Sequence, residues 1–206
     1  ESMIENLYLA GYKILDPEEY TYKVLNFSLS DSEIVLTFDD ALKCQFHIAL
    51  PVLEKFKIKS FFFIQSTALI NANNLNFEVL RDFRHRCFCS INEFYRQFFE
   101  IVSPKVILDT QTFIAREKFL SDRSYLSEED RIYRACRDFI LNKQTFYDIH
   151  LEMMKMFKYD WSYYRKALNM NEDDVRQLIH LGHEIGLHSF SHPLNITALS
   201  FDKHCL

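Results

Sequence analysis

Ser32-Glu-Ile-Val-Leu-Thr-Phe38 and Lys59-Ser-Phe-Phe-Phe-Ile64 are the two stretches that decide the fold of this chain. Each has the length of a strand and is almost continuously apolar, as expected of a strand covered on both faces. Between them apolar residues recur at spacings of three and four, which predicts a helix, and Pro51 either kinks that helix or divides it into two pieces. Strand, helix and strand of these lengths predict two parallel neighbours joined by a right-handed connection.

The middle of the chain, from about Asn71 to Met170, is predicted to be mostly helical. Ser127 is predicted to cap a helix there. The buried stripe of that helix is expected to contain Ile132, Ala135, Cys136, Phe139 and Ile140.

After this block the sequence again shows the alternating helix and strand patterns of its first part. Asn171 is predicted to cap a short helix that ends at Gly182, and Glu184–Leu187 is predicted to be a strand. Residues 197–200 resemble the approach to a further helix. We therefore interpret residues 1–206 as one α/β domain in which residues 71–170 form a helical insertion.

Composition narrows the function classes. The 206 residues carry a net charge of −5, which argues against a nucleic-acid partner, and the 48% hydrophobic content excludes a disordered chain. With only three glycines, the chain has no glycine-rich loop for binding phosphates. It also lacks an apolar run of the ~18 residues that a membrane span needs. Five scattered cysteines favour a reducing, cytoplasmic location, although removal of a signal peptide would leave the same pattern.

Asp39 and Asp40 follow the first predicted strand directly. Ligands of parallel α/β sheets bind at the carboxyl ends of the strands, which makes this pair a candidate site. Successive strand residues point to opposite faces, so both carboxylates serve one site only if the strand ends there and the backbone turns. The alternative is that one of them merely caps the following helix.

Four of the eight histidines lie between His180 and His192. His188 and His192 come just after the last predicted strand, at a spacing that lets two imidazoles bind one metal ion. His180 and His183 belong to the preceding helix end, where a cation is ordinary. One carboxylate and two imidazoles would leave positions open for water and substrate, which is the layout of a catalytic metal site.

These residues resemble the two leading motifs of the polysaccharide deacetylases, carbohydrate esterase family four. Thr37-Phe38-Asp39-Asp40 matches the first motif, with Ala41 where the family usually has glycine, and His188-Ser189-Phe190-Ser191-His192 matches the second. The stretches around both motifs are similar to the family as well. The resemblance implies a partial (β/α) barrel, related to the TIM barrel, with a large helical insertion.

The resemblance also implies a reaction. A divalent metal, usually zinc, would be held by Asp40, His188 and His192, and Asp39 would be the base for a metal-bound water that attacks the N-acetyl group of a sugar or polysaccharide. Ser189 would support the metal loop. In the family, further motifs come later, with an arginine that orients the base and a histidine that serves as the general acid. The resemblance therefore implies that the chain corresponds to the front part of such a domain, incomplete at its C-terminus.

Two other functions stay open at the level of sequence. The chain could be a catalytically incomplete binding or regulatory module, or a related metal amidase that acts on a non-sugar amide. An incomplete parallel sheet has an unpaired edge, so we also expect self-association through that edge.

Overall fold

The computed structural model describes residues 1–69 and 75–189. The described helices are α1 (Ser2–Leu9), α2 (Pro17–Leu25), α3 (Leu50–Phe56), α4 (Ser66–Leu69), α5 (Phe77–Cys87), α6 (Ile91–Ile101), α7 (Pro104–Glu117), α8 (Glu128–Ala135), α9 (Lys143–Met156), α10 (Trp161–Leu168) and α11 (Glu172–His180). The described strands are β1 (Lys13–Ile14), β2 (Glu33–Ile34), β3 (Thr37–Asp39), β4 (Phe61–Ile64) and β5 (Glu184–Leu187). No helix in these ranges is both long enough and apolar enough to cross a membrane.

The chain divides into two compact units. Unit 1 contains Glu1–Asn73 and Lys166–Leu206, and unit 2 contains Asn74–Arg165. Unit 2 lies within the range 71–170 that the sequence predicts to be a helical insertion, and all of its described regular elements are helices. The assignment of that range as an insertion in a deacetylase domain stays a prediction.

The described strands of unit 1 form two small parallel sheets. β1 pairs with β2, and β3, β4 and β5 form a second sheet in that order. The described strands form no closed barrel, and the partial barrel stays a prediction. The parallel pairing of the strands on either side of the first predicted helix is confirmed, since Phe38 is in register with Phe62.

The prediction of one strand over Ser32–Phe38 is wrong. The stretch contains two strands, β2 and β3, because it changes its hydrogen-bonding neighbour along its length. The carbonyl of Ile34 accepts from the N–H of Leu15 at 2.7 Å, whereas the carbonyl of Leu36 accepts from Phe61 at 3.1 Å. An apolar pattern reports burial and does not report which strand lies alongside.

The helical backbone runs without interruption from Lys43 to Phe56, so the alternative in which Pro51 divides the helix into two pieces is wrong. A π-helical segment, Gln45–Ala49, precedes α3, and Pro51 lies in the first turn of α3. Proline has no N–H to donate to the preceding turn, which agrees with the change in helical hydrogen bonding just before it.

The predicted buried stripe after Ser127 holds only in part. The Ser127 hydroxyl caps α8 by accepting from the N–H of Asp130 at 3.1 Å, as predicted. From Cys136 to Ile140 the backbone becomes π-helical. This change rotates the following side chains away from the buried face, so Phe139 is 58% exposed and its place in the stripe is wrong.

The core of unit 1 lies on one face of the β3–β4–β5 sheet. Phe62 is fully buried and stacks on Phe38 at 4.9 Å between ring centroids. α3 and α11 cover this face with Leu53 and Leu178 among other residues. Burial of one such side chain stabilises the fold by about 2 kcal/mol.

The opposite face of the sheet carries Phe61 and Phe63, whose rings stack at 5.7 Å. Phe63 is in register with Gly186 on β5. A Cβ atom added to Gly186 would overlap the Phe63 ring, so the ring occupies the space above this residue. The glycine is therefore required by close packing.

Unit 2 has an aromatic core around a buried histidine. His150 is fully buried, with its Nδ1 2.7 Å from the carbonyl oxygen of Phe146 and its Nε2 3.0 Å from the Tyr133 hydroxyl. A carbonyl only accepts, so Nδ1 carries the proton and Nε2 accepts from Tyr133. Burial lowers the pKa of His150 from 6.5 to about 4, and the imidazole is neutral at pH 7.

Two helices end on lysines in the left-handed conformation. Lys57 follows α3 with φ 56°, and Lys118 follows α7 with φ 49°. This position is usually occupied by glycine, because a Cβ atom is strained there. The lysine charge compensates in part by its favourable interaction with the carbonyl end of the helix.

We predict that Gly186→Ala lowers the free energy of unfolding by about 2 kcal/mol, since the new methyl group must displace the Phe63 ring. In a Phe63→Ala background the same substitution should cost much less. Urea unfolding of the four chains of this double-mutant cycle measures the coupling. An equal cost in both backgrounds would contradict the close packing of the glycine against the ring.

We also predict an acid-dependent loss of stability caused by His150. Its pKa is lower in the folded chain than in the unfolded chain, so the unfolded state binds more protons below pH 6.5 and stability falls until about pH 4. Between pH 7 and pH 5 the wild-type chain should lose about 2 kcal/mol more than His150→Gln, which does not titrate. Urea unfolding at both pH values tests this, and parallel losses would contradict it.

Candidate metal centre

The ends of three neighbouring strands bring two of the predicted metal ligands together. Asp40 follows β3, and its N–H donates to the carbonyl of Phe63 at 3.0 Å. His188 follows β5, and its N–H donates to the carbonyl of Ile64 at 2.9 Å. Both residues therefore extend the parallel hydrogen-bond ladder on either side of the end of β4.

A sharp turn separates the two aspartates. β3 ends at Asp39, and the next two residues have left-handed backbone conformations, with φ 75° at Asp40 and φ 55° at Ala41. The Asp39 side chain is exposed, and Asp40 is half-buried. The turn removes the strict alternation of a strand, so the direction of Asp40 is not fixed by that of Asp39.

Contacts from α11 and the residues before it hold this turn. The carbonyl of Ala41 accepts from the N–H of Met170 at 2.8 Å, and Ala41 is fully buried. The Lys43 ammonium pairs with the carboxylate of Asp174, which also accepts from the N–H of Asn171 at the start of α11. The loop beside the site is thus tied to a helix far away in the sequence.

Gln45 closes the same turn from within. Its side-chain oxygen accepts from the N–H of Leu42 at 3.1 Å, and its side-chain nitrogen donates to the carbonyl of Asp39. Sequence reasoning missed Gln45, Lys43 and Asp174. Lys43 and Gln45 lie where the sequence shows only a helical pattern, and no spacing rule links them to a turn or to Asp174.

The distance between Asp40 and His188 suits a shared metal ion. Asp40 Oδ1 lies 3.5 Å from His188 Nε2, and both side chains are about 30% exposed. Zinc binds carboxylate oxygen and imidazole nitrogen at about 2.0–2.2 Å in tetrahedral geometry, so two such ligands are separated by about 3.4 Å. The two side chains therefore fit neighbouring ligand positions of one ion, and the same distance also fits a direct ion pair.

The other predicted residues of the second motif are placed as follows. Ser189 has φ 61°, and its carbonyl accepts from the N–H of Ser66 at 3.3 Å, which fixes the loop after β5. His192 lies outside the described residues. Within residues 1–69 and 75–189, no group of three or more His, Cys, Asp or Glu side chains is arranged to hold a metal ion.

His183 serves the opposite end of the sheet. It precedes β5, is buried, and its Nδ1 accepts from the N–H of Ser60 at 3.2 Å, just before β4. Its ring meets Phe62 edge to face. Burial lowers the pKa of His183, with a further contribution from the Lys59 charge. These contacts give His183 a role in packing, away from Asp40 and His188.

Comparison with known proteins gives no match: no family model, no curated protein and no solved structure matches the chain. The candidate centre therefore depends on its motifs and on its own geometry.

We predict that the size of residue 41 controls the turn. Ala41→Val places a β-branched side chain at a fully buried residue with positive φ and should cost about 3 kcal/mol of stability. Ala41→Gly relieves the backbone strain but loses a buried methyl group and makes the unfolded chain more flexible, so its net effect should be within about 1 kcal/mol. Thermal or urea unfolding compares the two, and equal effects would contradict the assignment.

Proposed function

We propose that this chain is a metal-dependent deacetylase that hydrolyses the N-acetyl group of a sugar or polysaccharide. The observation that carries the proposal is the 3.5 Å separation of Asp40 Oδ1 and His188 Nε2, two residues that are distant in sequence, at the carboxyl end of a parallel sheet and next to Asp39. The resemblance of both motifs to the polysaccharide deacetylases supports the same reaction.

In this proposal Asp40 and His188 hold a divalent metal, most simply zinc, and His192, from outside the described residues, is the third ligand. When bound, the ion supplies Lewis-acid polarisation of a water molecule and of the amide carbonyl. Oxygen and nitrogen donors of this kind suit zinc.

Asp39 acts as the general base. Its exposed carboxylate is free to approach a substrate, while the Gln45 side chain holds its backbone in place. Asp39 accepts a proton from the attacking water as a C–O bond forms to the amide carbon. The C–N bond then breaks as the leaving nitrogen takes up the proton that Asp39 accepted, and the products are acetate and a free amino sugar. The carbonyl of Ser189 accepts from the N–H of Ser66, and this bond holds the loop that carries His188 in place.

A cavity lies on the same face of the sheet, and Asp39, Asp40 and His188 are not among the described residues that line it. Thr37 and Asp39 share one face of β3, because alternate strand residues do so. This face borders an apolar cavity of about 300 Å³ whose lining includes Thr37, Tyr20, Phe61 and Phe63. Aromatic rings offer flat surfaces on which the apolar faces of sugar rings can lie.

We further propose that the chain is cytoplasmic and self-associates. Its described cysteines are free thiols, which suits a reducing compartment. β3 and β5 each pair with one strand in the described sheet, and an unpaired strand edge favours pairing with a second copy.

The test is to measure metal content and acetate release from N-acetylglucosamine oligomers with the full chain. Wild type should bind about one zinc ion, and Asp40→Ala or His188→Ala should weaken zinc binding by roughly a hundredfold or more. Asp39→Asn should keep the metal and lower the rate of acetate release by about 10²–10⁴-fold. His180→Ala is the matched control, since this histidine is exposed at the end of α11.

The outcomes separate the rival functions. Zinc binding that is insensitive to Asp40→Ala and His188→Ala would overturn the metal centre. Zinc binding with hydrolysis of small non-sugar amides, but not of the oligomers, would favour an amidase. Absence of both zinc binding and hydrolysis would favour the binding module.

A further inference from the structure

Unit 2 contains a cavity that the proposed deacetylase chemistry does not use. It has a volume of about 350 Å³ and lies between the end of α5, the start of α6, and α8. Arg84 and Arg134 both line it, and among the described residues of its lining only Asp130 has a carboxylate. The lining is therefore net positive even when its histidine is neutral.

Arg84 differs from the other arginines of α5. Arg81 pairs with Glu78 at 2.6 Å, and Arg86 pairs with Asp82 at 2.6 Å. Among the described residues, Arg84 makes no hydrogen bond and no ion pair, although its side chain is half-buried. The five N–H donors of a guanidinium match the oxygens of a carboxylate or phosphate. The guanidinium of Arg84 can therefore donate to an oxyanion bound in the cavity.

The opposite wall fixes the second guanidinium. Arg134 Nε donates to Asp130 Oδ1 at 2.8 Å, one turn earlier on α8. This ion pair holds the direction of the Arg134 side chain. The apolar part of the lining comes from the largely buried rings of Phe88 and Tyr95 and from the exposed side chain of Ile91. Two guanidinium groups beside two aromatic rings form an amphipathic cavity.

We propose that this cavity binds a small molecule whose oxyanion group, a phosphate or a carboxylate, lies against Arg84 and Arg134 and whose apolar part contacts Phe88 and Tyr95. Charge-assisted bonds to arginine fix the anionic group, and apolar contact with the rings selects against free inorganic ions. The cavity volume is at the lower end of the range for small-molecule sites. This inference is independent of the metal centre.

The experiment uses the full chain and three probes of similar size, each with one phenyl ring: phenyl phosphate, benzoate and neutral benzyl alcohol. Isothermal titration calorimetry at constant ionic strength should give a Kd of about 1 mM or below for phenyl phosphate or benzoate. The tighter of the two identifies the oxyanion, and benzyl alcohol should not bind measurably. Arg84→Gln should weaken the bound probe at least tenfold, and Arg81→Gln, which removes a paired charge from the same helix, should leave its Kd unchanged.

Several results would overturn the proposal. These are absence of binding by both anionic probes at 10 mM, roughly ten times the expected Kd, equal binding by benzyl alcohol, and equal weakening by the two arginine substitutions. If Arg84→Gln fails to fold, as judged by circular dichroism, Arg134→Gln and Tyr95→Phe are titrated instead. Arg134→Gln should weaken the anion at least tenfold, and Tyr95→Phe, which keeps the ring, should not.

Discussion

The parallel ladder on both sides of β4 is the interaction on which the candidate site depends. Asp40 and His188 donate backbone hydrogen bonds to Phe63 and Ile64, consecutive residues at the end of that strand. Because these bonds fix the register, the two side chains meet although the whole of unit 2 lies between them in the sequence. A shift of either outer strand by one residue would turn its side chains to the other face and separate the pair.

The hydrogen-bond ladder places Asp40 beside His188, and the turn after β3 sets the direction of Asp40. Two consecutive residues in the left-handed conformation cost roughly 1–2 kcal/mol each, and such strain persists only where surrounding contacts enforce it. Met170, Gln45 and the Lys43–Asp174 pair supply those contacts. Strained backbone of this kind clusters at functional sites, which agrees with the proposed role of Asp39 and Asp40.

Much of the local structure could be predicted from sequence, because the relevant forces act over short distances. The strand Glu184–Leu187 and the cap at Asn171 are confirmed, since strand composition and capping chemistry depend on neighbouring residues. The single strand over Ser32–Phe38 and the buried place of Phe139 are wrong, because neighbour choice and a π-helical segment depend on tertiary packing.

The candidate site also has features that could be predicted from sequence and features that could not. Its motifs and their position after two strands could be predicted, and the polypeptide does turn at Asp40 as a shared site requires. The residues that hold the turn could not be predicted, since a lysine and an aspartate 131 positions apart carry no sign of their pairing. The third ligand, His192, stays a prediction outside the described residues, and so does the metal.

The helix ends at Lys57 and Lys118 bear on the denatured ensemble of this chain. A glycine at either position would relax the native backbone, but it would also widen the set of conformers that the denatured chain explores. With three glycines in 206 residues, the chain begins folding from a comparatively narrow ensemble. Part of its stability thus resides in what the denatured polypeptide is prevented from doing, and no contact in the native fold records that contribution.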